Sequence, residues 1–166
     1  MEKIKRKYDK NEIVEEFMDF WERTGELPQV HIGTDSQVQA YHVFKFITFV
    51  FLYHNSVDPE LRIAKGWGLK DFQRAENFST PGKNRPNVQL RMIEEAAKTL
   101  AVAEELVESG IDRENIVIGL DINSDEIHES NKALQACSGM FTGMGYPNVE
   151  WKPDSMVIYA ADRLSK

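Results

Sequence analysis

Residues 42–54, His-Val-Phe-Lys-Phe-Ile-Thr-Phe-Val-Phe-Leu-Tyr-His, restrict the folds open to this chain more than any other stretch. Val, Ile, Phe and Tyr dominate the run, and Lys45 is its one charged residue between the two terminal histidines. Such side chains favour a pleated strand, and apolar residues at both odd and even positions predict burial on both faces. Residues 30–35 read as a short strand before it, leading into the turn-like Thr34-Asp35-Ser36. Residues 61–69 read as a strand after it, weakened near its end by Gly66 and Gly68, with Asp58-Pro59 as turn chemistry between the two. Three consecutive strands joined this way imply an antiparallel meander.

The remaining chain alternates. Residues 10–24 form an amphipathic helix with Ile13, Val14, Phe17, Phe20 and Trp21 at helical spacing, ended by Gly25 and Pro28. Residues 70–86 read as a long polar loop containing Pro81-Gly82. A strong helix spans 87–109 and closes at Gly110. An apolar strand spans 115–122, and Ser124 is placed to cap a helix ending near Ala136. Gly139, Gly143 and Gly145 argue against helix throughout 138–147. Residues 149–152 form a last short strand and 155–164 a closing helix. The order implies an α/β fold with a mixed five-stranded sheet and helices on both faces. The expected organisation is one domain over 1–166 with the 10–24 helix as an addition to it.

The formal net charge of −7 argues against tight, non-specific nucleic-acid binding, although clustered catalytic carboxylates would inflate that count. Residues 62–91 run the other way, with Arg62, Lys65, Lys70, Arg74, Lys83, Arg85 and Arg91 against Asp71 and Glu76. A single cysteine, Cys137, a charged N-terminus and the lack of any long apolar stretch point to the cytoplasm, with no membrane association.

Four acids fall at the ends or flanks of these elements. Asp35 closes the first strand and shares a face with His31 and Gly33, opposite Val30 and Ile32. A carboxylate there is costly unless paired, solvated or metal-bound, but a turn Asp capped by its own backbone reads the same way. Asp121 repeats the arrangement inside Ile116-Val117-Ile118-Gly119-Leu120-Asp121-Ile122. On the 87–109 helix, 100° steps put Glu94 opposite the apolar face and Glu95 on its flank, in line with Thr99 and Ala103. Asp162 on the closing helix, read alone, is a surface partner for Arg163, and Asp154 belongs to that helix's N-cap region. Two divalent cations bridged by such carboxylates are a standard arrangement for phosphodiester hydrolysis.

Taken in chain order, the strands, helices and four acids resemble the ribonuclease H superfamily across nearly the whole chain after the first helix. Ile32-Gly33-Thr34-Asp35-Ser36-Gln37, Glu95 with Thr99 and Ala103, the Asp121 strand and Lys152-Pro153 are similar to the YkuK family of predicted nucleases. The resemblance implies that Asp35, Glu95, Asp121 and Asp162 are catalytic and hold Mg²⁺ or Mn²⁺ in a two-metal site. It implies RNA, an RNA–DNA hybrid or structured DNA as substrate, with Ser36 and Gln37 as expected substrate contacts. Lys83 and Arg85 are expected to meet substrate phosphates because they lie in the basic stretch on the loop leading into the Glu95 helix. Typical ribonuclease H enzymes carry a histidine ahead of the last helix, and here His128 follows Asp121 on a different element. The competing reading is a binding module for nucleic acid or a protein partner that keeps the fold and its acids without useful turnover.

Overall fold

A computed structural model of the protein describes residues 6–40, 42–74, 79, 80, 85, 86, 88–123 and 129–152. The strands are β1 (Arg6–Lys7), β2 (Gln29–Ala40), β3 (Val43–His54), β4 (Ile63–Arg74), β5 (Ser79–Thr80), β6 (Arg85–Pro86), β7 (Ile116–Asn123) and β8 (Val149–Lys152), and the helices are α1 (Lys10–Thr24), α2 (Val88–Glu108) and α3 (Glu129–Gly143). Six strands form one mixed sheet in the order β1-β4-β3-β2-β7-β8, and β5 pairs with β6 separately. β2, β3 and β4 are the antiparallel meander, while β7 runs parallel to β2 and β8 parallel to β7. Among the described residues no helix is long and apolar enough to cross a membrane.

Local chemistry explains where the helices start and stop. The Asp9 side chain accepts from the Glu12 amide at the start of α1, and Gly25, at φ 74°, returns its N–H to the Trp21 carbonyl at 2.8 Å. Both α2 and α3 end in Schellman turns. The Ile111 amide reaches the Leu106 carbonyl across Gly110 (φ 110°), and the Tyr146 amide reaches the Phe141 carbonyl across Gly145 (φ 87°). Both turns need a left-handed residue at a position where glycine carries no Cβ penalty.

The main core lies between one face of the sheet and the three helices. Ile13, Phe17 and Phe20 of α1, Val102 and Leu106 of α2, and Cys137 and Phe141 of α3 pack with Val30, Ile32, Val50, Leu52, Trp67 and Ile118 of the sheet. Even-numbered residues of β2 and β3 and odd-numbered residues of β4 therefore face the helices. Their alternates, His31, Asp35, Ile47, Phe49 and Phe51, are also buried, on the face that no described helix covers.

Five expectations from sequence are corrected. The sheet has a sixth strand, because Arg6–Lys7 pairs in parallel with Trp67 and Gly68 on the outer edge of β4. β2 does not turn at Asp35 but continues to Ala40, with Asp35 opposite Ile47, and the reversal comes near His42, whose φ is 57°. β4 likewise runs on to Arg74, because its partner β3 offers an unbroken ladder as far as Val43. The polar segment after it is not all loop, since Ser79–Thr80 pairs with Arg85–Pro86. α3 passes through Gly139 to Gly143, because Ala133, Cys137 and Phe141 bury one stripe that outweighs a penalty of about 1 kcal/mol for the glycine. The Ser124 cap and the closing helix fall outside the described residues, and with them the second helical layer.

Candidate active site

β2 and β7 are paired only from Val30–Ile116 to Gly33–Gly119. Beyond that pair no ladder joins these strands among the described residues, and this break in pairing, short of Asp35 and Asp121, is the split between them. In open α/β sheets such a crevice, where chain connections diverge to either side, is where ligands bind. Asp35 stands two residues past Gly33, and Asp121 stands two residues past Gly119. The Asp121 side chain is not among those described, and Asp162 lies outside the described residues.

Glu95 reaches this split from α2. Its side chain is buried, and the Ser36 hydroxyl donates to its Oε1. Glu94 behaves as the helical period predicts. It stays on the outer side and pairs with Lys98 at 3.6 Å, while Lys98 also pairs with Asp71 of β4. A small cavity of about 10 Å³, enough for one water, lies against Thr34, Met92, Glu95, Gly119 and Leu120. It therefore sits between α2 and the sheet, beside Glu95, where β2 neighbours β7.

Alternation along β2 puts Thr34 and Ser36 on the helix side and Asp35 on the other. The two buried carboxylates, Asp35 and Glu95, thus approach β2 from opposite faces, beside the point where its pairing with β7 ends. A hard divalent cation prefers oxygen donors of this kind. Two buried carboxylates from separate elements, beside the end of the β2–β7 pairing, are chemically suited to Mg²⁺ or Mn²⁺. Among the described residues no three His, Cys, Asp or Glu side chains form a complete metal-holding group. Lys83 lies outside the described residues, and the Arg85 side chain is not among those described.

A buried hydroxyl cluster, not anticipated from sequence, ties the site together. Thr34 Oγ1 lies 2.9 Å from Thr48 Oγ1 of β3 and 2.8 Å from Thr99 Oγ1 of α2. Thr99 is one helical turn after Glu95, so the cluster fixes the height of α2 over the sheet. The signal was present in part: Thr48 is the lone Ser or Thr in the 42–54 run, and Thr99 falls in line with Glu95. Ser36, expected to meet substrate, is engaged with Glu95. Burial and then the nearby Glu95 charge push the Cys137 thiol up to about 11, which makes it a core residue and a poor nucleophile. His31 is buried, its Nε2 bonded to Gln29 Oε1 at 3.1 Å, and burial lowers it to about 4.

Comparison with known proteins places this geometry. A family model described as ribonuclease H-like matches residues 12–166. No curated protein and no solved structure matches the chain. The match begins within α1 and takes in every other element that builds the split, from the β2–β3–β4 meander through α2 to β7 and β8. The chain belongs to the ribonuclease H-like family, of the YkuK type.

Proposed function

We propose that this protein is a divalent-metal-dependent nuclease acting on RNA, an RNA–DNA hybrid or structured DNA. The observation that carries the reading is a buried Glu95, held by Ser36, at the split between the parallel strands that bear Asp35 and Asp121. Asp35, Glu95, Asp121 and Asp162 would hold Mg²⁺ or Mn²⁺. When bound, these ions supply Lewis acidity and neutralise charge that develops on the scissile phosphate.

The chain's own residues prepare the site. The Ser36 hydroxyl fixes one Glu95 oxygen and so limits the rotamers of a long, otherwise flexible carboxylate. The threonine cluster anchors Glu95's helix to β2 and β3. Placing Asp35 within a paired strand instead of a turn holds its backbone rigid. Preorganisation of this kind reduces the reorganisation needed when phosphate arrives.

The test is a panel of labelled RNA, hybrid, duplex and junction substrates incubated with Mn²⁺. Cleavage of at least one substrate by wild type, abolished in both Asp35→Asn and Glu95→Gln, is the expected result. Equal cleavage by wild type and both variants would refute the assignment. Binding without cleavage by wild type would instead identify the binding module.

A further inference from the structure

The face of the sheet that carries Asp35 changes character along the strands. Its inner part is buried at Ile47, Phe49 and Phe51. Its outer end, toward the β2–β3 turn, is open and basic. Register gives the order: Asp35, Ile47 and Lys70 lie side by side in one row, Gln37, Lys45 and Phe72 in the next, and Val43 and Arg74 in the last. All share the Asp35 face, because residues of this set alternate with ones that contact the helices, such as Asp71 with Lys98. Rows two residues apart are separated by about 7 Å, and neighbouring strands by about 5 Å. Phe72 is 61% exposed and lies between Lys70 and Arg74 on its own strand, with Lys45 directly across.

Edge-strand protection accounts for only part of this. Lys and Arg on an outer strand do discourage edge-to-edge pairing. Yet Lys45 is on β3, which is paired on both sides, and an exposed phenyl ring would defeat the purpose. Cations interleaved with an exposed aromatic ring, in a protein of net charge −7, complement a backbone of phosphates and the face of an unpaired base.

We propose that this strip docks an unpaired nucleic-acid segment, with a base stacked on Phe72, one row from Asp35, and phosphates against Lys70, in the Asp35 row, and Arg74, two rows away. The proposal rests on the nuclease reading for its choice of ligand and narrows the substrate class to nucleic acids with single-stranded character. A base paired within a duplex cannot offer its face to Phe72, so duplexes gain only the charge contacts.

The experiment measures binding of labelled single-stranded and blunt duplex oligonucleotides by fluorescence anisotropy, in chelator so that metal chemistry is silent. Phe72→Ala should weaken single-strand binding roughly 5- to 150-fold, as loss of one stacked base does, and leave duplex binding unchanged. Phe72→Trp should restore it. Lys70→Ala with Arg74→Ala should flatten the slope of log affinity against log salt by about 1.4, from two lost phosphate contacts on a single strand. Thermal melting of each variant checks that these exposed positions leave the fold intact. Unchanged single-strand affinity in Phe72→Ala, or equal losses for single strand and duplex, would overturn the proposal, as would no single-strand binding by wild type. If wild type cleaves nothing but Phe72→Ala still loses single-strand binding selectively, the nuclease reading fails and the strip stands. If wild type cleaves and Phe72→Ala binds normally, the reverse holds.

Discussion

Thr34 is the centre of the buried hydroxyl cluster, and its removal should hurt more than removal of the whole cluster. A hydroxyl has one proton and two acceptor positions, so Thr34 can donate to one neighbour and accept from the other. Thr34→Val deletes both contacts, at 2.9 and 2.8 Å, and strips that partner from the buried hydroxyls of Thr48 and Thr99. At about 1 kcal/mol net per hydrogen bond, the loss is about 2 kcal/mol, or a melting temperature lower by about 4–8 °C in a domain of this size. Thr99→Val breaks one contact and should cost about 1 kcal/mol. The triple variant Thr34→Val, Thr48→Val, Thr99→Val leaves no orphaned hydroxyl in the cluster, and replacing all partners with apolar groups of the same shape is close to neutral. Urea unfolding, compared at equal m-values, measures the series. A triple variant less stable than Thr34→Val alone would refute the argument, because it would mean that the hydroxyls contribute independently of one another.

Three further outcomes are expected. Asp35→Asn should raise the melting temperature in chelator, by relieving repulsion among clustered carboxylates, and should shrink the stabilisation by Mn²⁺, which for a ligand-bound native state reaches about 2.7 kcal/mol at a hundred times Kd; equal metal shifts in wild type and variant would count against Asp35 as a ligand. His31 is lowered to about 4 by burial from an ordinary 6.5, so the unfolded chain takes up the proton first as pH falls; stability present above pH 6.5 should decline by about 3 kcal/mol toward pH 4, and His31→Gln should remove that part of the slope, whereas parallel curves would refute it. Cys137, fully buried with its thiol raised to about 11, should react with a thiol reagent only at the rate of unfolding, so labelling faster than unfolding measured in urea would show that α3 opens locally.

The parts of the fold that were legible in sequence are those where one physical signal dominates. Two-faced burial marked β3 as central, and it is flanked by β2 and β4. A 3.6-residue period separated Glu95 from Glu94, and the two sit as that period requires. Strand ends were misread because local turn chemistry was weighed without the partner strand. Thr34-Asp35-Ser36 looks like a turn in isolation, yet β3 offers ladder partners all the way to Val43 and extends the strand through it. The end of α3 was misread for a similar reason. Gly139 lowers helix propensity locally, but Phe141 lies beyond it and its burial carries the helix on to the Schellman turn at Gly145. Arg6–Lys7 gave no signal at all, since two charged residues become a strand only through the edge they meet.

The site follows a similar division. The placement of Asp35 on β2 and of Glu95 on the flank of α2 could be anticipated from sequence, because carboxylates among apolar residues are expensive and therefore conspicuous. Whether acids on opposite faces can share a space could not, because that depends on where the β2–β7 pairing ends. Had the pairing continued past Gly33 and Gly119, the ladder would have walled Asp35 off from Glu95, and the same residues would have had no common space. The separation of the two strands is thus as much a part of the candidate site as the carboxylates. It also accounts for the support around it: with no β2–β7 ladder at this depth, α2 is positioned by side chains, through Ser36 on Glu95 and Thr34 on Thr99. Loss of those hydroxyls should therefore disturb the site by shifting Glu95 even where total stability is nearly kept, as in the triple valine variant. Mn²⁺ affinity that falls in that variant while its urea midpoint stays near wild type would separate positioning from stability; unchanged affinity would assign the cluster to folding alone.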